Sequence, residues 1–190
     1  EDNLIYNIIG SNWFGGNFWS TYNGSDLNGD GIGDSANVTI PGGYSTDYLP
    51  LTPNLAGCGN ISRSVTLIQN LTVNGSCFII TGNNLVIDFA GHYLTGNGTG
   101  TAIEFRNANN SYLINAIVQN FSTAILLNSS QRMNLTNNSI FYTTTAIKLS
   151  YSNNSLLTLN NFSGNALGMD VTNSWNASVY DNFFNNTINA

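Results

Sequence analysis

Residues 26–34 read "DLNGDGIGD" and hold the densest set of oxygen donors in the chain. Only 10 of the 190 residues are acidic, yet Asp26, Asp30 and Asp34 fall here, with Asn28 between them. Asp26, Asn28, Asp30, the carbonyl of Ile32 and Asp34 occupy alternate positions, and Gly29, Gly31 and Gly33 let the chain wrap tightly. Oxygens in that spacing suit a hard cation, and Ca²⁺, which takes six to eight of them, is the expected cofactor. The competing expectation is an Asx-rich solvated turn.

The stretch resembles the first nine positions of an EF-hand-type calcium loop, as also found without helices in dockerin-like and thrombospondin-like repeats. It departs at the twelfth position, where Asn37 stands in place of the bidentate glutamate. A further ligand must then come from elsewhere, and Asp47 is the candidate. A calcium-assisted polysaccharide lyase would need a base beside the metal, but the nearest basic residue along the chain is Arg63. A glycosidase would need paired carboxylates across a cleft, whereas Asp88, Glu104, Asp170 and Asp181 are scattered. His92, the sole histidine, sits in the turn "AGHYL" and reads as a hydrogen-bonded turn residue. No nucleophile and base are paired, so no catalytic residue is assigned and the chain is not expected to be an enzyme.

Charged residues make up 7% of the chain, with one lysine (Lys148), three arginines (Arg63, Arg106, Arg132) and a net charge of -6. That excludes a basic surface for nucleic acid. No membrane-spanning run and no secretory signal occur, and a chain opening at Glu1 reads as a processed or excised piece of a longer one. Cys58 and Cys77 bracket a strand-rich stretch and are expected to form a disulfide, which points to an extracellular location. Sequons for N-glycosylation recur at Asn23, Asn37, Asn60, Asn70, Asn74, Asn97, Asn109, Asn120, Asn128, Asn134, Asn137, Asn153, Asn161, Asn176 and Asn185, some of which are expected to carry glycan.

The elements that position these residues are read from internal repetition. "TAIEF" (101–105), "TAILL" (123–127), "TAIKL" (145–149) and "LGMDV" (167–171) place Ile103, Ile125, Ile147 and Met169 at a constant step of 22 residues. Phe105, Leu127, Leu149 and Val171 keep the same step. So do Leu113, Leu135, Leu157 and Val179, and Val118, Ile140, Phe162 and Phe184. Short alternating apolar runs with this period and no hairpin signal describe an all-β fold, a right-handed parallel β-helix with one turn per repeat. Asn138, Asn160 and Asn182 share the step and are expected to form a stacked structural ladder at a corner, Asn being tolerant of the left-handed turn conformation. Lys148 lies one rung from Asp170 as an exposed ion pair. Leu85 aligns with Leu113 only if about six extra residues, supplied by "GHYLTGNGTG", protrude as a loop.

Two domains follow: 1–53, a capping or connecting module, and 54–190, the β-helix, with opening turns at 58–105 and regular rungs at 106–190. Trp13, Phe14, Phe18, Trp19 and Tyr22 in the module are expected to plug a coil end or join subunits rather than to stack on sugars.

"CFIITGNNLVIDFAGHYLTGNGTG" resembles the opening turns of secreted, NosD-like right-handed β-helix repeat proteins of archaeal and bacterial surfaces. "GGNFWSTYNGSDLNGDGIGD" followed by "TDYLPL" resembles the module that usually closes such a helix. Here the module precedes the opening turns, and the end, "NFFNNTINA", stops in mid-pattern, with "EDNLIYNIIGSNWFGGNFW" as its natural continuation. The expected product is a head-to-tail stack of identical subunits or repeats, a calcium-stabilised extracellular filament or surface layer. The alternative is a polysaccharide-binding or polysaccharide-cleaving surface β-helix or adhesin, with glycans as partners.

Overall fold

Apolar side chains that alternate along three- and six-residue runs bury one face of each strand, and the chain covers that face by coiling on itself. The computed structural model describes residues 16–42 and 44–190. Beyond a short antiparallel pair, Val38–Thr39 with Thr46–Asp47, the strands lie in three parallel sheets of six, seven and six. Each turn of the coil gives one strand to each sheet. In one turn these are Thr123–Asn128, Asn134–Thr136 and Ser139–Phe141.

The four apolar columns stack in register. Ile103 pairs with Ile125, Ile125 with Ile147 and Ile147 with Met169. Leu113, Leu135, Leu157 and Val179 follow on the second sheet. Val118, Ile140, Phe162 and Phe184 do so on the third. One continuous core runs from Leu55 to Phe162. Lys148 Nζ lies 2.7 Å from Asp170 Oδ2 across neighbouring rungs.

The opening turns differ from the expected alignment. Ile87, not Leu85, faces Leu113. Phe78 pairs with Ile103 and Leu94 with Val118, so the local steps are 25, 26 and 24 residues before the period settles at 22. The surplus does not form one protruding loop. Tyr93–Thr95 is a rung strand, and the extra residues divide between the corners on either side of it. A strand buried on one face cannot slip by one residue without turning that face to water, so insertions collect at corners.

Each corner is turned by a residue with positive φ. One column is Asn110, Arg132, Asn154 and Asn176; another is Asn115, Asn137, Leu159 and Asp181. The left-handed residue therefore immediately precedes the Asn138, Asn160 and Asn182 ladder, which itself is not left-handed. Ladder and turn are separate tasks: the turn residue points out, and the next one points in. Leu159 adopts φ 57° and is 60% exposed, so little burial offsets the backbone cost. Leu159→Asn is expected to raise stability by about 1 kcal/mol, read as a higher urea midpoint at unchanged slope.

The disulfide Cys58–Cys77 joins adjacent turns, with its Cα atoms 4.8 Å apart. Among the described residues there is no helix, hence none long and apolar enough to cross a membrane.

Candidate functional site

The acidic loop lies directly on the first turn of its own coil. Asp26 forms a parallel bridge to Leu55, its N–H donating to Asn54 O (2.8 Å) and its carbonyl accepting from Ala56 N (2.7 Å). Gly57 and Gly59 let the loop approach: a Cβ on either would overlap the carbonyls of Leu27 and Asn28. The loop thus acts as a partial extra rung that covers the N-terminal end of the core.

Asp26 is fully buried and its carboxylate is crowded with donors. Oδ1 accepts from Asn28 N (3.2 Å) and Gly29 N (2.6 Å), and Oδ2 from Gly31 N (2.8 Å). Arg63, reaching up from the coil, adds an ion pair to Oδ2 at 2.8 Å and donates to Thr52 O at 2.9 Å. Its guanidinium lies across Gly31, where any side chain would collide with it. The other oxygens fold back on the loop itself: Asn28 Oδ1 accepts from Asp30 N, Asp30 Oδ1 from Ile32 N, and Asp34 Oδ2 from Leu27 N.

Asp47 performs a different task. Its carboxylate accepts from Asn17 N (2.8 Å), Trp19 Nε1 (2.8 Å) and Leu49 N (3.1 Å), tying the start of the module to the strand that leads into the coil. Among the described residues, no three His, Cys, Asp or Glu side chains gather into a group able to hold a metal ion. The oxygens of Asp26, Asn28, Asp30 and Asp34 thus accept from the loop's own N–H groups, and those of Asp47 from Asn17, Trp19 and Leu49. The cation on Asp26 is Arg63, a contact that spans 37 residues and carries no sequence signal.

Burial pushes the Asp47 carboxyl up, but the hydrogen bonds from Asn17, Trp19 and Leu49 outweigh it and hold it below 3.8. On the coil, the hydrogen bond from Arg106 draws Glu104 below 4.5 against the effect of burial, with Asn128 assisting. A depressed carboxylate contributes stability above its unfolded pKa and loses it as pH falls through the folded one. Stability is therefore expected to be level above this range and to drop as pH falls below it, checked by urea midpoints across an acid series.

Of the module's aromatics, Trp13 and Phe14 lie outside the described residues. Phe18 is 64% exposed and, with Leu51, Pro53 and Arg63, lines an apolar hollow of about 220 Å³. Tyr22 is partly buried and donates its hydroxyl to Ala36 O. His92 sits at its corner with Nδ1 3.2 Å from Asn70 Oδ1.

The ladder asparagines are tightly held. Asn160 Nδ2 donates to Leu135 O (2.8 Å) and Asn182 Oδ1 (2.9 Å), and its Oδ1 accepts from Asn138 N (3.0 Å) and Asn138 Nδ2 (2.9 Å). A second ladder, Thr143, Asn165 and Asn186, runs at the next corner. Its signal was present, since Thr143 and Asn165 keep the 22-residue step, but Asn186 follows after 21 and breaks the column.

The sequons separate by geometry. Asn109, Asn128 and Asn153 precede Ser111, Ser130 and Ser155, which are all buried. Asn120 and Asn137 spend their amide N–H groups on Gly96 O and Asn115 Oδ1. Asn176 does so on Asn154 Oδ1. Asn23, Asn37, Asn60, Asn74, Asn161 and Asn185 are exposed.

Residues 55–190 match the family described as "Periplasmic copper-binding protein (NosD)". No curated protein and no solved structure matches the chain. Copper favours imidazole, thiolate and thioether ligands, and this sequence has one histidine, two cysteines and two methionines. Both cysteines are in the disulfide, Met133 is buried in the core and His92 has no such partner. These residues do not fit a copper site. The family description and the disulfide agree on a location outside the reducing cytoplasm. The matched segment starts at the first coil strand, Asn54–Leu55, and takes in all the regular rungs, so the chain belongs to the NosD family of periplasmic parallel β-helix proteins.

Proposed function

We propose that this protein is a structural element of the extracellular surface, a capped β-helix that stacks end to end with copies of itself, rather than an enzyme. One observation carries the reading: the two ends of the coil are unlike. The N-terminal end is covered by the acidic loop. At the other end, strands Leu167–Thr172, Ser178–Tyr180 and Phe183–Asn185 are the outermost of their sheets, the first covered at its start alone by a bridge from Ile188 to Leu167. The columns that are fully buried in earlier rungs end there in Val171 and Val179, 45% and 38% exposed. A parallel edge with an apolar interior is completed by another strand layer; where a second copy rather than further chain supplies that layer, head-to-tail stacking does not close. Sedimentation and electron microscopy are expected to show concentration-dependent linear oligomers that a Val171→Lys/Val179→Lys variant does not form. A wild-type chain that stays monomeric at high concentration would overturn the proposal.

Calcium enters as a finer reading of the capping loop. What supports it is the alternation of Asp26, Asn28, Asp30, Ile32 and Asp34 with glycines. Against it, Asp26 already holds Arg63. On this reading Ca²⁺ adds to a loop already pinned by Arg63, and chelator is expected to lower the melting temperature, because a cation bound only by the folded state stabilises it; an unchanged melting temperature would overturn calcium and leave Arg63 as the cation on Asp26. If the chain is glycosylated, the exposed sequons Asn23, Asn37, Asn60, Asn74, Asn161 and Asn185 are the expected carriers. Site mapping by mass spectrometry that placed glycan on Asn109, Asn128 or Asn153 would contradict this.

A further inference from the structure

We propose that the corner following the six-residue strands binds a linear acidic polysaccharide, with Arg132 taking a carboxylate and Trp175 stacking on a sugar ring. A groove of about 440 Å³ runs along this corner across four rungs. Its inner wall is fixed by a ladder: Asn109 N and Nδ2 donate to Asn83 Oδ1 (2.8 and 3.1 Å), and Gln131 N donates to Asn109 Oδ1 (3.1 Å). Its outer wall is the left-handed column Asn84, Asn110, Arg132 and Asn154. The side chains of Asn84, Asn110 and Arg132 have no hydrogen-bond partner among the described residues. Free polar heads on three successive rungs, two amides and a guanidinium about 4.8 Å apart, suit a polymer whose hydroxyls recur at the length of one pyranose.

Two further observations set the chemistry. The chain has four basic residues. Three of them, Arg63, Arg106 and Lys148, are paired with acids at 2.7–2.8 Å. Arg132 is the one basic residue without an ion pair among the described residues, and it stands where Asn would turn the corner at lower backbone cost. Trp175 stands one rung beyond Asn153, next to the end of the groove, with its backbone N–H on Asn153 Oδ1 at 2.7 Å, and is 66% exposed. An exposed indole at the end of a polar groove is a stacking surface for a sugar face. A single cation on a chain of net charge -6 suits sparse carboxylates, not a phosphate backbone. Asn109 and Asn153 are sequons, but their serines are buried in the folded chain and the Asn109 amide is committed to Asn83 Oδ1, which disfavours glycan in the groove.

The test uses the full chain with a 1,4-linked hexamer of five glucose units and one glucuronate, and cellohexaose as the neutral control, in titration calorimetry. Saturable binding of the uronate hexamer is expected, weakened at least about tenfold by Arg132→Asn and by Trp175→Ala, with the neutral hexamer at least about tenfold weaker. Arg132→Asn suits the left-handed backbone, so its fold is expected to stay intact, and circular dichroism verifies that. No saturable binding, equal affinity in Arg132→Asn, or equal affinity for cellohexaose each overturns the proposal. Sedimentation of the same samples keeps the result separate from end-to-end stacking, which does not depend on this groove.

Discussion

Asn160→Ala is expected to lower the unfolding free energy by about 4 kcal/mol, read as a shift in urea midpoint. The side chain is 2% exposed and makes four hydrogen bonds, two as donor and two as acceptor. Alanine removes them all: the buried Asn138 N–H loses its acceptor, the Asn138 amide keeps only Leu113 O, and the Leu135 carbonyl loses its side-chain donor, each unmade bond to a buried group costing about 1–3 kcal/mol. Hydration of the vacated space offsets part of that. The effect falls on two rungs at once, because each ladder amide ties the corner before it to the corner after it. Asn182→Ala, at the partly exposed end of the same column, is expected to cost less, since water reaches the groups it would leave. Equal losses at both positions would mean that burial is not what gives the ladder its strength.

Arg63→Ala is expected to release the cap at a cost of about 3 kcal/mol, the lower end of what breaking a buried ion pair costs. Asp26 keeps three backbone N–H donors, which places the effect at that end, while Thr52 O loses its charged donor. The module packs on one end of the coil, so the loss is local. Amide exchange at Gly29 and Gly31 is expected to accelerate by roughly 100-fold, while the amides of Ile125 and Ile147 in the central rungs are unchanged. Faster exchange of the central rungs would show that cap and coil unfold as one unit. Arg63→Lys is expected to recover only part of the protection, because an ammonium cannot reach Asp26 and the Thr52 carbonyl with the same planar fork.

Most of the coil was legible in the sequence. A core column contributes one residue per turn, so Ile103, Ile125, Ile147 and Met169 announce both the period and the stacking. The first turns were less legible. Insertions between Phe78 and Ile103 break the period, and alignment by residue type chose Leu85 where register in space chose Ile87. Both residues are apolar and buried, so composition could not separate them. The corners divide in the same way. A recurrent Asn was evident at 138, 160 and 182, but which neighbour takes the left-handed conformation depends on where the backbone must reverse.

The capping loop marks the boundary between the two kinds of information. By itself the sequence determined the parallel coil, its 22-residue step, the disulfide pair and the crowd of oxygens at 26–34, because each is a spacing along the chain. Only the tertiary structure decided what those oxygens serve: Arg63, 37 residues away, meets Asp26, and Asp47 turns to Trp19 and Asn17. The reason is physical. A buried carboxylate must be paired by whatever charge folding brings within reach, and a contact made once, between segments that do not repeat, leaves no period to read.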